Sequence, residues 1–359
     1  METRKIQRVS NGTYTVSLPR EWATEQGLSA GDVVQLHAHL DGPLTIQPAT
    51  DDLSRLELPI AEESRTQVTR LLRAAYTAGA LDVDVVAADG LDDDQRTALR
   101  STVRALSGVT IAEESDTTVA VRNVLDSEQV SIRQSVRHLR FVALSHHREA
   151  TAALCDPEID AGPATDDARA DRLSAVVERY FVRSLSRLDE VDRLGEGRPD
   201  LFCFFQLADD LRRIAACADR IATVAADFDS PSDPDADPDR TDTRVAAFET
   251  VAEDAREAVE TAVDTVFDPD TDAVWNVLER RDAVRTTVDD LGRRLFEAPD
   301  GEYRLARALP AIRETADCAA SIASIGLRRT LQQRSLGSAG LHDSDSAGTD
   351  PPVPSETDD

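Results

Sequence analysis

The sequence predicts a multidomain chain: a β-rich N-terminal block, a small α/β segment, and two tandem three-helix bundles that are all-α. Three observations point there. Asn11-Gly12 lies between alternating stretches, a strong hairpin signal because both turn residues tolerate positive φ. Residues 51–125 alternate helical and strand patterns. Beyond residue 129 the chain is helical, and one segment occurs twice.

In the first block, residues 1–48, Tyr14, Val16 and Leu18 share one face of the strand that returns from the turn. Pro19 opens a short helix over REWATEQ, where a missing amide costs nothing, and Gly27 is placed to stop it. SAGDVVQL supplies a Gly-Asp turn and another strand, and DGPLTIQP a last hairpin. So small a unit has a meagre core and is expected to need a second copy to close its sheet.

In residues 51–125, TQVTRLLRAAYTAGA has apolar residues at 68, 71, 72, 75 and 76, a helical stripe. LDVDVVAA reads as a strand, and DDDQRTALRSTVRALSG as a helix with a favourable acidic first turn. VTIAEE and TTVAVRNV read as strands. No motif assigns this block a role; it is expected to sense a ligand or to space the two ends.

Residues 129–228 and 244–330 form the helical blocks. Phe204, Leu207, Leu211, Ile214, Ala218, Ile221, Ala225 and Phe228 alternate by three and four, a bundle-type seam. AACADRIATV (215–224) superposes on ADCAASIASI (316–325), and upstream ADRLSAVVERYF (170–181) is similar to VDDLGRRLF (288–296). Two matches in the same order mark a duplicated three-helix unit. Residues 229–243 are an acidic Pro-rich linker and residues 335–359 an acidic tail; neither holds enough apolar surface to order itself.

Composition narrows the function classes. The 359 residues carry a formal net charge of -28, spread along the chain, and Lys5 is the only lysine. Excess carboxylate keeps a surface hydrated, so the charge is read as adaptation to concentrated salt rather than as a partner-binding face. Against it, the first twenty residues hold four cations and one anion. No apolar run approaches the roughly 20 residues that span a bilayer, so a soluble cytoplasmic protein without membrane insertion is expected. Cys155, Cys203, Cys217 and Cys318 show no CxxC or Cys/His spacing, which argues against zinc or a disulfide framework. No nucleophile-base pair or phosphate-cradling glycine loop occurs, and no enzyme is expected.

The segments RKIQRVSNGTYTVSLPREW and GLSAGDVVQL resemble the AbrB/MazE/SpoVT swapped-hairpin family, in which two chains interleave into one small DNA-binding barrel. The resemblance implies homodimerisation, and DNA contacts from Arg4, Lys5, Arg8 and Arg20, with Asn11 and Thr13 as polar helpers. Phosphates require cations, so a DNA face is where a salt-adapted chain would retain them. The competing reading is that these cations decorate a barrel that only dimerises.

Residues 60–330 resemble archaeal members of the PhoU family, phosphate-uptake regulators built from two three-helix bundles. The likeness is strongest over RNVLDSEQVSIRQSVRHLRFVALSHHREATAAL, DDARADRL and the paired Ala-x-Cys-Ala-x-x-Ile-Ala helices. It implies acidic E(D)xxxD motifs holding metal clusters, since residues i and i+4 share a helix face and converge on one hard cation. Here the first repeat keeps Asp167 and Asp171, while its partner helix has Arg212 and Ala216. The second repeat reads Arg285 with Asp289, and Arg313 with Asp317. A guanidinium cannot ligate a metal, so these are expected to be i,i+4 salt bridges on each helix face, with little or no metal bound. His146 and His147 with Glu149 form another potential ligand set; adjacent helix residues diverge, and surface placement is expected.

The two resemblances together imply a DNA-binding transcriptional regulator of phosphate uptake, with DNA, a second copy of the chain and a phosphate transporter's ATPase subunit as partners. The alternative is a dimeric adaptor on that transporter with no DNA role.

Overall fold

The structure is a computed structural model of the chain, describing residues 3–9, 12–38, 44–48, 55–156, 158–159, 165–227, 238–297 and 303–340. Side chains of residues 165–167, 188, 238–242 and 333–340 fall outside that description, as do residues of the expected linker and tail not included above. The described part is mostly helical, with small sheets toward the N-terminus.

Strands β1 (Gln7–Arg8) and β2 (Tyr14–Thr15) pair antiparallel, with Arg8 opposite Tyr14. Gly12 has φ +81° in the turn between them, and Asn11 lies outside the described residues. Pro19 caps helix α1 (Arg20–Glu25) from an extended conformation, and Gly27 at φ +68° ends it. Strands β3 (Val34–Ala38) and β4 (Leu44–Pro48) form a second antiparallel pair. Within one chain these remain two separate two-stranded sheets, not a closed barrel. None of the described residues up to Pro48 is buried: Ile6, Tyr14, Val33, Leu36 and Leu44 are 61–74% exposed. An isolated two-stranded hairpin is marginal in water, and the described residues of this unit form no buried core of their own.

The next unit runs β5 (Arg55–Ile60), α2 (Arg65–Thr77), β6 (Asp82–Ala87), α3 (Asp93–Ala105), β7 (Val109–Glu114) and β8 (Thr118–Asn123). Its sheet has the order β5-β6-β8-β7, with β5 parallel to β6 and the other neighbours antiparallel. The sequence reading named no strand before α2. β5 exists there because it is an edge strand, where Pro59 removes no ladder bond from a central position. Val83, Val85, Val119 and Val121 pack under Leu72 and Leu99 of the two helices. On the opposite sheet face Asp84 is 6% exposed, held by Arg55 and by Arg122 at 2.7 Å. Those guanidiniums outweigh its burial and keep its carboxyl below the usual range.

The helices are α4 (Ile132–Cys155), α5 (Thr165–Ser186), α6 (Leu188–Leu194), α7 (Arg198–Asp227), α8 (Pro238–Phe267), α9 (Thr271–Glu297) and α10 (Tyr303–Gly340). Helix α8 begins inside the acidic segment expected to be a linker, and α10 reaches into the expected tail; both are continuations of strongly packed helices. α4, α5 and α7 form one three-helix unit and α8, α9 and α10 another. Ala215, Cys217, Ala218 and Ile221 of α7 and Ala316, Cys318, Ala319 and Ile322 of α10 are all fully buried, the same positions 101 residues apart. The two copies are fused along antiparallel α7 and α10, with Asp200 beside Arg329 at one end and Asp227 beside Arg307 at the other. Each of the two main apolar clusters accordingly takes residues from both repeats. Among the described residues no helix is long and apolar enough to cross a membrane.

Close packing of α8 on α10 depends on Gly326. A Cβ there would lie 2.9 Å from Thr265 Cβ and 3.1 Å from its carbonyl carbon. Gly→Ala inside an open helix gains about 1 kcal/mol; Gly326→Ala is expected to lose about 1–3 kcal/mol through overpacking, read as a lower midpoint in denaturant titration.

Candidate functional site

The motif-bearing faces lie between the second and third helices of each repeat. In repeat two, Arg285 and Asp289 share a face of α9, and Arg313 and Asp317 a face of α10. Their pairing is crosswise: Arg313 bonds Asp289, and Arg285 reaches Asp317 at 3.4 Å. Arg281 adds a longer contact to Asp317 at 3.9 Å. The expected i,i+4 pairs within each helix are therefore corrected to pairs between helices. The physical reason is orientation: an arginine N-terminal to its aspartate is the weaker helical order, while the antiparallel neighbour offers a carboxylate directly opposite. All four side chains are at least 32% exposed, so each pair adds about 1 kcal/mol or less.

Repeat one differs. Asp171 accepts from Arg73 at 3.1 Å, and Arg73 comes from α2 of the α/β unit. Arg212 pairs with Asp209 at 3.0 Å on its own helix, Ala216 offers no ligand, and the Asp167 side chain lies outside the described residues. A cavity of about 420 Å³ opens here between α2, α5 and α7, lined by Arg73, Asp171, Glu178, Asp209 and Arg212 among others. Burial pushes the Glu178 carboxyl up, with Arg212 opposing.

These residues do not fit a metal cluster. Among the described residues no three His, Cys, Asp or Glu side chains group so as to hold an ion. Guanidiniums, which have no lone pair to donate, occupy the space beside Asp171, Asp289 and Asp317.

The most heavily built polar site was not anticipated from sequence. Arg172, Arg179 and Arg183, seven and four residues apart, line one face of α5 and grip the ends of α2 and α3. Arg172 donates to the carbonyls of Arg104 and Ala105 at 3.2 and 3.1 Å. Arg179, 1% exposed, donates to Tyr76 O at 2.6 Å and Ala80 O at 2.8 Å, its guanidinium 4.5 Å from the Tyr76 ring centroid. Arg183 donates to Gly79 O at 3.1 Å and forks onto Glu190 with two 2.8 Å bonds. Helix C-termini present unpaired carbonyls and a partial negative charge, so three cations here hold the α/β unit on repeat one. Three arginines at positions i, i+7 and i+11 on an otherwise apolar helix face were the available signal.

His146 and His147 are buried, 2% and 0% exposed, correcting the expected surface placement. Adjacent residues do diverge, but α4 is enclosed by α5 and α7 on one side and by α8 on the other, so both directions lead inward. His147 Nδ1 stands 3.3 Å from Arg256 Nη1, which also donates to Thr151 Oγ1 at 3.1 Å. All four cysteines are buried and free, and burial pushes the Cys155 thiol up to about 12, with Glu249 adding to it.

Arg4, Lys5, Arg8 and Arg20 are all exposed: the first two precede β1, Arg8 lies in it, and Arg20 begins α1. Thr13 is exposed as well.

No family model matches the chain, and no curated protein matches it. Among solved structures, the crystal structure of PhoU from Pseudomonas aeruginosa is similar, with 16% sequence identity and a TM-score of 0.36. The similarity covers 55% of this chain and 96% of that one.

Proposed function

We propose that the chain is a dimeric, non-catalytic regulator of phosphate uptake that works as an adaptor on a protein partner, the ATPase subunit of a phosphate transporter being the candidate. The observation that carries this reading is the doubled three-helix unit, whose paired segments resemble the repeated helices of PhoU-family regulators. Dimerisation is supported by the N-terminal unit: Ile6, Tyr14, Val33, Leu36 and Leu44 are largely exposed within one chain, and interleaving with a second copy would bury them. The arginine grip of α5 supports rigid attachment of the α/β unit to repeat one. Under this reading the full chain sediments at twice 39.1 kDa, and Tyr14→Asp with Leu36→Asp halves the mass. Affinity-purified chain brings the transporter ATPase with it and no DNA. A monomeric full chain, or purification without the ATPase, sinks the adaptor reading.

A second reading rests on the four exposed cations at the strand and helix starts of an otherwise acidic chain. On it the dimer grips an operator through Arg4, Lys5, Arg8 and Arg20. In gel shifts on its own promoter, Arg8→Ala with Arg20→Ala then weakens binding at least about tenfold. Unchanged binding removes this reading.

A further inference from the structure

Helix α4 is basic in an acidic protein. It carries Arg133, Arg137, Arg140 and Arg148 against one carboxylate, Glu149, whereas the whole chain has 40 basic residues against 68 acidic ones. Part of that charge is used along the antiparallel seam with α8, where Arg140 pairs with Asp264 at 2.5 Å and Arg148 reaches Glu260 at 4.0 Å. Arg133 is likewise committed, forked onto Glu196 at 3.0 and 3.1 Å.

Arg137 is different. It is exposed, its guanidinium sits 4.9 Å from the Phe267 ring centroid, and no carboxylate among the described residues lies within ion-pair distance of it. In a chain with a large surplus of carboxylates, an arginine left on an aromatic ring needs a reason. Its neighbour one helical turn on, Phe141, is 68% exposed. Arg137, Arg140, Phe141, Leu144 and Arg148 form one stripe of α4, and together with α8 they line a groove of about 390 Å³ floored by buried Leu144. Arginine and exposed aromatic rings around a concave apolar floor are the composition of interface hot spots. The pairs at Arg140 and Arg148 are partly solvated, so an incoming carboxylate can share those guanidiniums at small cost.

We propose that the α4–α8 groove is a docking site for an acidic protein segment bearing an apolar side chain, with carboxylates received by Arg137 and Arg148 and the apolar group set against Phe141 and Leu144. This deepens the adaptor reading by naming the face used, but the groove is tested apart from any transporter.

The probe is a fluorescent sixteen-residue amphipathic peptide with glutamates flanking a Leu/Phe stripe, titrated into the full chain, beside a control with lysine for every glutamate. The acidic peptide is expected to bind at least about tenfold more tightly than the control. Arg137→Glu with Arg148→Glu should lower its affinity about tenfold, and Phe141→Ser should lower it several-fold; all three positions are solvent-facing, so thermal midpoints should stay within a degree or two. Equal binding of both peptides, or binding that survives these variants, overturns the proposal. So does displacement of the peptide by millimolar AMP or inorganic phosphate, which would make the groove a small-anion site. A Phe141→Ser chain with halved solution mass also overturns it, assigning the face to a second copy. Failure here with intact ATPase co-purification would leave the adaptor reading standing and move its contact elsewhere.

Discussion

Glu190→Ala is expected to cost about 3–5 kcal/mol and to release the α/β unit from the helices. Glu190 is fully buried, and its carboxylate meets the forked guanidinium of Arg183, itself 6% exposed, through two 2.8 Å bonds. Removing the acid leaves a buried cation whose remaining hydrogen bond is to the Gly79 carbonyl, beside the Tyr180 ring at 5.9 Å. Desolvation of that unpaired charge, rather than loss of a bond, sets the size of the effect. The replacement of both partners gives the control: Arg183→Met with Glu190→Leu fills similar volume without charge and should recover most of the lost stability. Chemical denaturation supplies the free energies. Limited proteolysis between Asn123 and Ile132 reports release of the unit, because that connector becomes accessible when α2 leaves α5. A Glu190→Ala chain as stable as the parent would mean that the pair is solvated and the grip on α2 is weak. Gly79 offers a consistency check, since it sits at φ +92° with a Cβ position 2.6 Å from Arg183 Cγ; any side chain there disturbs the same joint.

Local features of this fold were legible in the sequence because they are set by neighbours along the chain. The helix stop at Gly27, the acidic first turn of α3 at Asp93 and Asp94, and the seam repeated at Cys217 and Cys318 all depend on a few adjacent residues. The edge strand β5 was hidden by Pro59, which argues against a strand until the sheet order shows where it lies. Sites made between elements were harder. Arg285 and Arg313 are expected from the sequence to pair with Asp289 and Asp317 on their own helices, yet their partners lie on the opposite helix, and periodicity does not say which faces meet. Arg172, Arg179 and Arg183 are spaced as one helix face, but the ends of α2 and α3 that they grip lie far from them along the chain. The histidine pair failed for a related reason. Divergence of adjacent side chains is a property of one helix, while burial of both is a property of three neighbours. The cations at Arg4, Lys5, Arg8 and Arg20 are exposed where the hairpin and helix starts place them.

His147 should make the protein lose stability as the pH falls below about 6.5. Burial, reinforced by Arg256, His146 and Arg148, holds its imidazole neutral and brings its pKa down to about 3, from an unfolded value of 6.5. Between those limits the unfolded chain binds a proton that the folded one refuses, so stability rises with pH and is lost on acidification. At pH 5 the loss is about 2 kcal/mol, the free energy of protonating a group 1.5 units below its unfolded pKa. Many carboxylates titrate below pH 5, so the measurement must be a difference. His147→Asn places an amide oxygen near the former Nδ1, able to accept from Arg256, and cannot be protonated in this range. Its stability should therefore fall less steeply than that of the parent between pH 7 and pH 5, by about 2 kcal/mol over the interval. Parallel curves would show that His147 takes up its proton in the folded state. That would require the α4–α8 seam to open there, since Arg256 leaves no room for a second positive charge beside it.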